Sequence, residues 1–246
     1  MYKEIETLLH ELKLSGMLQV FNENNLTDIS DSFYDLLKNM LVTEKQERQI
    51  RSLRYRLKLS KIPVVKHLDN FNWENYKSLK KKIEYLSNGQ FIIEHNNIIF
   101  IGGAGSGKTH LSLALAYKAI CNNNRVRFYN FRLLIEELLQ SEKINNLSNF
   151  IEWLNRFDCI VIDEFGYLPI NNQITPLLFR LFSELYEKTS IIITTHLSFD
   201  EWEKLFIDEK LAATIIDRVT HHCHIFETGN LSQRLNESIN IKQVEK

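Results

Sequence analysis

The run Gly102-Gly103-Ala104-Gly105-Ser106-Gly107-Lys108-Thr109 has the spacing G-x-x-x-x-G-K-T, and residues so spaced bind phosphate. Glycines let the backbone curl until successive N–H groups point at phosphate oxygens. A helix that opens where the loop ends adds the positive end of its dipole. Lys108 is then placed to reach the β- and γ-phosphates of a nucleoside triphosphate, and the Thr109 hydroxyl to ligate Mg²⁺. His110 completes the candidate nucleotide-binding set. The flanks suit the motif, with the apolar run Ile98–Ile101 before it and Leu111–Ala116 after it. A glycine-rich turn that binds nothing would need neither flank.

A second set of residues points to hydrolysis. Cys159-Ile160-Val161-Ile162 reads as a buried strand that ends in Asp163-Glu164. An acid at the tip of a strand beside the phosphate loop supports Mg²⁺. Side chains alternate along a strand, so the next acid faces the other way and can orient and deprotonate a water near the γ-phosphate. Asp163 is therefore assigned to the metal and Glu164 to the water. The strand Ile191–His196 also ends in polar groups. If it lies between the two motif-bearing strands, Thr195 or His196 can hydrogen-bond the water or the phosphate, and His196 can titrate near neutrality. Arg218 sits late on a helical stretch. It can reach a nucleotide on an adjacent subunit or pair at the surface with Asp217, and the residues alone favour the ion pair. His221, His222 and His224 with Cys223 do not read as a metal centre, because neighbouring residues point different ways and no second ligand pair stands elsewhere.

These groups need a scaffold that holds them at one edge. From Asn97 onward short apolar runs alternate with helical patterns: strands near 98–102, 125–129, 159–163, 190–195 and 223–227, and helices near 108–121, 131–141, 147–156, 172–188, 199–206 and 210–220. That alternation predicts a parallel sheet covered on both faces. Upstream, residues 4–21 have apolar positions at helical spacing, and residues 32–59 form a second helical region ended by Pro63. Residues 64–90 read as a connecting segment anchored by Leu68, Phe71 and Trp73. The expected organisation is a helical domain over 1–62, a linker over 63–96 and an α/β domain over 97–246. Beyond about Leu235 the chain is polar and reads as a frayed end.

Composition limits the alternatives. The 246 residues carry a formal net charge of −1 and 44% hydrophobic side chains, ample for a core. Nucleic-acid binding must therefore rest on a local patch. Between Glu44 and Lys61 the cations Lys45, Arg48, Arg51, Arg54, Arg56, Lys58 and Lys61 face only Glu44 and Glu47. Cys121, Cys159 and Cys223 have no paired spacing, a pattern of a reducing compartment rather than of a disulfide framework. The start lacks a signal-peptide core and no apolar run approaches the length of a membrane span, so a cytoplasmic chain with no membrane partner is expected.

Taken together, these motifs resemble the IstB-like branch of the DnaC/DnaA-related AAA+ ATPases. Gly105-Ser106-Gly107-Lys108-Thr109-His110-Leu111 matches the family's G-x-G-K-T-H-L, and Ile162-Asp163-Glu164-Phe165-Gly166-Tyr167-Leu168-Pro169 its I-D-E-[LF]-G-Y-L-P. Phe199-Asp200-Glu201-Trp202 resembles F-x-E-W, Ile216–His222 resembles L-D-R-x-x-H-H, Leu68–Trp73 is similar to an L-E-x-F-D-F linker, and Leu14–Met17 resembles L-x-G-M. The resemblance covers nearly the whole chain. It implies an α/β P-loop AAA+ three-layer sandwich with a five-stranded parallel sheet, preceded by a small all-α domain. It implies ATP and Mg²⁺ held at subunit interfaces, ATP-dependent self-association on duplex DNA with little sequence preference, and recruitment of the transposase encoded by the same element. It makes Arg218 the finger acting in trans, and it makes residues 131–147 the helical insertion lining the DNA path, with Arg132 and Lys143 as phosphate contacts. In two places the chain departs from the pattern. His196 stands where the family usually has Asn. The chain also ends soon after its last strand, so no C-terminal lid domain is expected; Arg234 is the residue that could stand in for a lid-borne arginine.

A DnaC-type replicative helicase loader shares this core and is the alternative reading. A small-molecule kinase is disfavoured by Glu164, and an inactive DNA-binding scaffold by the presence of Lys108, Thr109, Asp163 and Glu164 together. DNA contact is expected at Arg48, Arg51, Arg54, Arg56 and Lys58, with Lys80-Lys81-Lys82 as a further candidate.

Overall fold

In the computed structural model, residues 2–23 and 30–229 are described. The chain divides into two units, Met1–Tyr55 and Arg56–Lys246. The first contains α1 (Tyr2–Glu11), α2 (Ser15–Glu23) and most of α3 (Asp31–Ser60). Their apolar stripes meet in a small core of Ile5, Leu9, Leu12, Phe21 and Leu41. The single helical pattern over 4–21 is broken into two helices at Lys13. That residue takes a left-handed backbone, φ +55°. The N–H of Leu14 then donates back to the Leu9 carbonyl at 2.9 Å, and that of Lys13 to His10 at 3.0 Å. This is the Schellman way of ending a helix, here without glycine. The Arg48 guanidinium adds a further bond to the Leu12 carbonyl at 2.7 Å.

α3 stops at Ser60, just short of Pro63, with Lys61 left-handed at φ +55°. Residues 63–96 carry structure of their own: two short 3-10 turns at Leu68–Asn70 and Glu74–Tyr76, then α4 (Lys77–Leu86) and α5 (Gln90–Ile93). Leu68 and Phe71 are buried as expected of anchors. The Trp73 indole N–H donates to the Leu68 carbonyl at 3.1 Å.

The sheet follows. Its strands are β1 (Asn97–Ile101), β2 (Val126–Asn130), β3 (Cys159–Phe165), β4 (Ser190–Thr195) and β5 (Cys223–Glu227), all parallel, in the spatial order β2-β3-β4-β1-β5. The connecting helices are α6 (Lys108–Cys121), α7 (Phe131–Lys143), α8 (Leu147–Leu154), α9 (Ile174–Leu185), α10 (Phe199–Leu205) and α11 (Glu209–Thr220). Ile160 and Ile162 of β3, Ile191 and Ile193 of β4 and Ile99 of β1 join the apolar residues of α7, α8, α9 and α11 in one core. Strand alternation sends Val161, Ile192, Ile98 and Phe100 to the opposite face, where α6 packs across the central strands. Double-faced burial is why these strands read as unbroken apolar runs. β4 does lie between β1 and β3, so the tips that carry the phosphate loop, the acid pair and the threonines sit side by side.

Candidate nucleotide-binding site

The loop between β1 and α6 is built by its glycines. A side chain at Gly102 would press its Cβ to 2.4 Å from Thr228 Oγ1 and 2.7 Å from the Gly229 carbonyl. Gly107 caps α6 in the left-handed region, φ +95°, which costs glycine little. α6 begins at Lys108, so its first N–H groups and the positive end of its dipole face the loop.

Buried hydroxyls latch the loop from behind. Ser106 Oγ lies 2.7 Å from Thr228 Oγ1 and donates to the Gly103 carbonyl at 2.9 Å. Tyr76 Oη reaches two carbonyls, Ser106 at 3.1 Å and Thr228 at 3.0 Å. The Gly103 N–H donates to the Gly229 carbonyl at 2.9 Å. Neither Tyr76 nor Thr228 is distinguished in the sequence, because both act on groups far away in the chain.

Lys108 Nζ donates to the Gly102 and Gly103 carbonyls at 2.7 Å each. The ammonium is thereby held over the loop. Thr109 Oγ1 donates to Asp163 Oδ1 at 2.9 Å. This joins the two residues assigned to the metal across the gap between α6 and β3. Asp163 is only 7% exposed. Burial pushes its carboxyl above the usual carboxylate range, against the opposing hydrogen bonds from Thr194 and Thr109. A buried carboxylate beside a hydroxyl and an ammonium suits a hard divalent cation that would compensate the charge.

A bulge sets the acid pair apart. Ile162 pairs with Ile193 but Phe165 with Thr195, so β3 fits one extra residue against β4. Glu164 sits in that bulge with φ +61°, a conformation rarely adopted without a compensating role. Thr194 repairs the ladder: its hydroxyl accepts the Glu164 N–H at 3.0 Å and donates to Asp163 Oδ1 at 2.5 Å. Asp163 thus stays buried while Glu164 is turned outward and exposed. The Glu164 carboxylate accepts from Asn130 Nδ2 at 2.7 Å, and Asn130 Oδ1 caps α7 by accepting the Arg132 N–H at 3.1 Å. Sequence reasoning missed both Thr194 and Asn130. The signal lay in strand parity for Thr194 and in an Asn before an apolar helix for Asn130.

The other candidates are placed as follows. The Thr195 hydroxyl is committed to backbone, donating to the Phe165 carbonyl at 2.9 Å and accepting the Leu197 N–H at 3.1 Å. His196 is exposed, its ring 6.5 Å from that of Tyr167. Arg218 forms no ion pair with Asp217 among the described salt bridges. It lies across α9, donating to the Ser183 hydroxyl with its guanidinium 5.3 Å over Phe179 and 5.9 Å over Tyr186. Arg234 is outside the described residues.

Beside the loop is a cavity of about 600 Å³, within the usual range for small-molecule sites. Gly105, Gly107, Lys108, Thr109 and His110 form one wall, and Pro63, Val64, Val65, Lys66 and Asn70 another. The second wall comes from the segment read as a linker. Val64 and Val65 are exposed apolar side chains in the chain as it stands. His110 is oriented by its bond to the His67 carbonyl at 2.9 Å and by the Phe71 ring at 5.3 Å.

The basic candidates differ in how each is held. Arg48 and Arg51 both pair with Glu44, at 2.6 and 3.4 Å, and Arg132 pairs with Glu136 at 3.1 Å. Arg56 donates to the Ile120 carbonyl at 3.2 Å. Arg54, Lys58 and Lys143 are exposed. Lys80 pairs with Glu84 at 3.8 Å. Among the described residues no helix is long and apolar enough to cross a membrane.

Comparison with known proteins agrees with this geometry. Residues 7–240 match the family described as IstB-like ATP binding protein. The chain is 34% identical over 238 residues to a protein of Pseudomonas aeruginosa named for ATP binding in insertion sequence IS21, covering 95% of this chain and 89% of that one. It is 31% identical over 245 residues to the corresponding protein of insertion sequence IS232 from Bacillus thuringiensis subsp. berliner, covering 96% of each. The fold is like that of the DnaC helicase loader, with a TM-score of 0.54 and 18% identity over 65% of this chain and 95% of that one. It is also like AMPPCP-bound DnaA from Aquifex aeolicus, with a TM-score of 0.56 and 19% identity over 73% of this chain and 54% of that one. The P-loop α/β fold and the nucleotide site thus meet in one assignment: the chain belongs to the family of IstB-like ATP-binding proteins.

Proposed function

We propose that this protein hydrolyses ATP with Mg²⁺ and uses the cycle to assemble on duplex DNA and serve transposition. The observation that carries the reading is the Thr109–Asp163–Thr194 hydroxyl–carboxylate chain beside the phosphate loop. Gly102 to Thr109 would cradle the phosphates through backbone N–H groups, and Lys108 would exchange its two carbonyl partners for phosphate oxygens. Thr109 and Asp163 would hold Mg²⁺, which when bound neutralises charge on the phosphates. Val64 and Val65 offer apolar area that a purine base would cover, and the cavity has room for it.

Glu164 is the group that takes a proton. Its carboxylate is exposed and held by Asn130 Nδ2, and it would accept the proton of a water attacking the terminal phosphate. Arg218 is proposed to act on a neighbouring subunit's nucleotide, where a guanidinium stabilises charge in the transition state. Its resting place across the Phe179 and Tyr186 rings leaves it half-buried.

The relatives are named for insertion sequences, which supports a transposase of the same element as the partner and a cytoplasmic site of action. Duplex DNA is proposed to bind through Arg48, Arg51, Arg54, Arg56 and Lys58, with Arg132 and Lys143. The test is Glu164→Gln. Mg²⁺-dependent ATP binding should persist while turnover falls by about 10²–10⁴, the range of a lost general base. Turnover at the normal rate would remove Glu164 from the chemistry, and loss of binding would make it structural.

A further inference from the structure

We infer that Glu187, His221 and His222 form a binding site for a divalent transition ion of the zinc class, apart from the nucleotide site. The Glu187 carboxylate and one ring nitrogen from each histidine all lie within 4.8 Å of one another. Ligand atoms around a tetrahedral zinc ion stand roughly 3–3.5 Å apart, given metal–ligand distances near 2.0–2.2 Å. All three side chains are exposed, so rotation about their own bonds closes the difference.

The sequence alone argued against such a centre, since adjacent residues should diverge and no second ligand pair stood elsewhere. The fold brings the two adjacent rings together and adds one distant carboxylate. His222 is left-handed at φ +52°, and this turn after α11 brings its ring to 4.0 Å from the His221 ring, centroid to centroid. Glu187, left-handed at φ +56° in the turn after α9, supplies the third group from far back in the chain. α9 and α11 pack side by side, which is why their C-terminal ends meet.

His221 is also oriented. Tyr186 Oη and His221 Nδ1 share a hydrogen bond of 2.8 Å. Metal-ligating histidines are commonly held through their other ring nitrogen in this way, which fixes tautomer and ring direction. With Nδ1 so engaged, Nε2 is the nitrogen assigned to the ion in this proposal. Two imidazoles and one carboxylate favour zinc, cobalt, nickel or copper over magnesium or calcium, which prefer all-oxygen sets. The fourth position is left for water.

The test uses the full, tag-free chain and Co²⁺ as the probe, titrated in excess Mg²⁺ so that the hard oxygen site is held. We expect one Co²⁺ per chain with a visible d–d band, displaced by Zn²⁺. Glu187→Gln, His221→Ala and His222→Ala should each weaken Co²⁺ binding at least tenfold. Asp163→Asn should leave the band intact. Unchanged ADP affinity in the three site variants would confirm that they fold. Wild-type chain without the band, variants that bind as tightly as wild type, or thiolate charge-transfer absorption implicating Cys223 would each overturn the site. None of these outcomes depends on whether ATP is hydrolysed.

Discussion

Asn130 Nδ2 donates to the Glu164 carboxylate at 2.7 Å, while the Asn130 carbonyl oxygen caps α7. One amide thus ties the proposed proton acceptor to the first turn of a helix on a neighbouring strand connection. Asn130→Ala releases both. The lost cap should cost about 1 kcal/mol of stability, and the freed carboxylate should raise unstimulated ATP turnover severalfold. Thermal melting and steady-state ATPase assays check the two effects separately; turnover that falls in a folded variant would mean that Asn130 orients Glu164 productively instead.

Asp163 carries a pH-linked cost. Burial holds its carboxyl above the ordinary range in the folded chain, so the folded state favours the proton more than the unfolded state does. The stability from that preference is present at low pH and is lost as pH rises through the folded value. Above that value the buried charge therefore opposes folding of the nucleotide-free protein. Asp163→Asn keeps an acceptor for Thr109 and Thr194 while removing the charge. Its Tm without nucleotide should rise, by roughly 2–4 °C for each kcal/mol relieved in a chain of this size. Its ATP affinity should no longer respond to Mg²⁺. A lower Tm combined with an unaltered Mg²⁺ response would contradict both parts.

Arg218 tests the proposal of a site shared between subunits. Arg218→Ala alone and Lys108→Ala alone should each lose ATPase activity, by a factor on the order of 10³ for a missing arginine finger. Mixing the two should restore part of it, because one subunit supplies the arginine and the other the phosphate loop. Mixtures as inactive as their components would assign Arg218 to the α9–α11 contact only.

DNA binding can be separated from catalysis by salt. The exposed pairs that Arg48, Arg51 and Arg132 make with glutamates are worth little in water, so phosphate can displace them. Arg54→Glu with Lys58→Glu should lower duplex affinity and flatten the log–log salt dependence by about 0.9 per lost contact. Fluorescence anisotropy across a salt series reads both numbers. An unchanged slope would exclude these two residues from the DNA contact.

The residues of the phosphate loop, the strand that ends in Asp163-Glu164 and the alternation of β and α elements were legible in the chain itself. Each depends on local spacing: glycines at fixed offsets, apolar runs of strand length, helical periodicity between them. For the same reason α6 begins and ends where the spacing predicts, at Lys108 and Cys121. What spacing does not encode is which distant groups complete a local feature. Thr194 serves the site because a bulge in β3 withdraws a backbone partner from Glu164 and a hydroxyl on β4 replaces it. Tyr76 holds the phosphate loop by reaching carbonyls, which have no residue identity to read. Val64 and Val65 become a cavity wall only when residues 63–70 fold back beside α6. Glu187 meets His221 and His222 only because two helices pack side by side. Short-range pattern determined the elements and the residues proposed to carry the chemistry. Only the packed sheet and helices, which bring residues far apart in the chain within hydrogen-bonding reach, decided which side chains hold that chemistry in place.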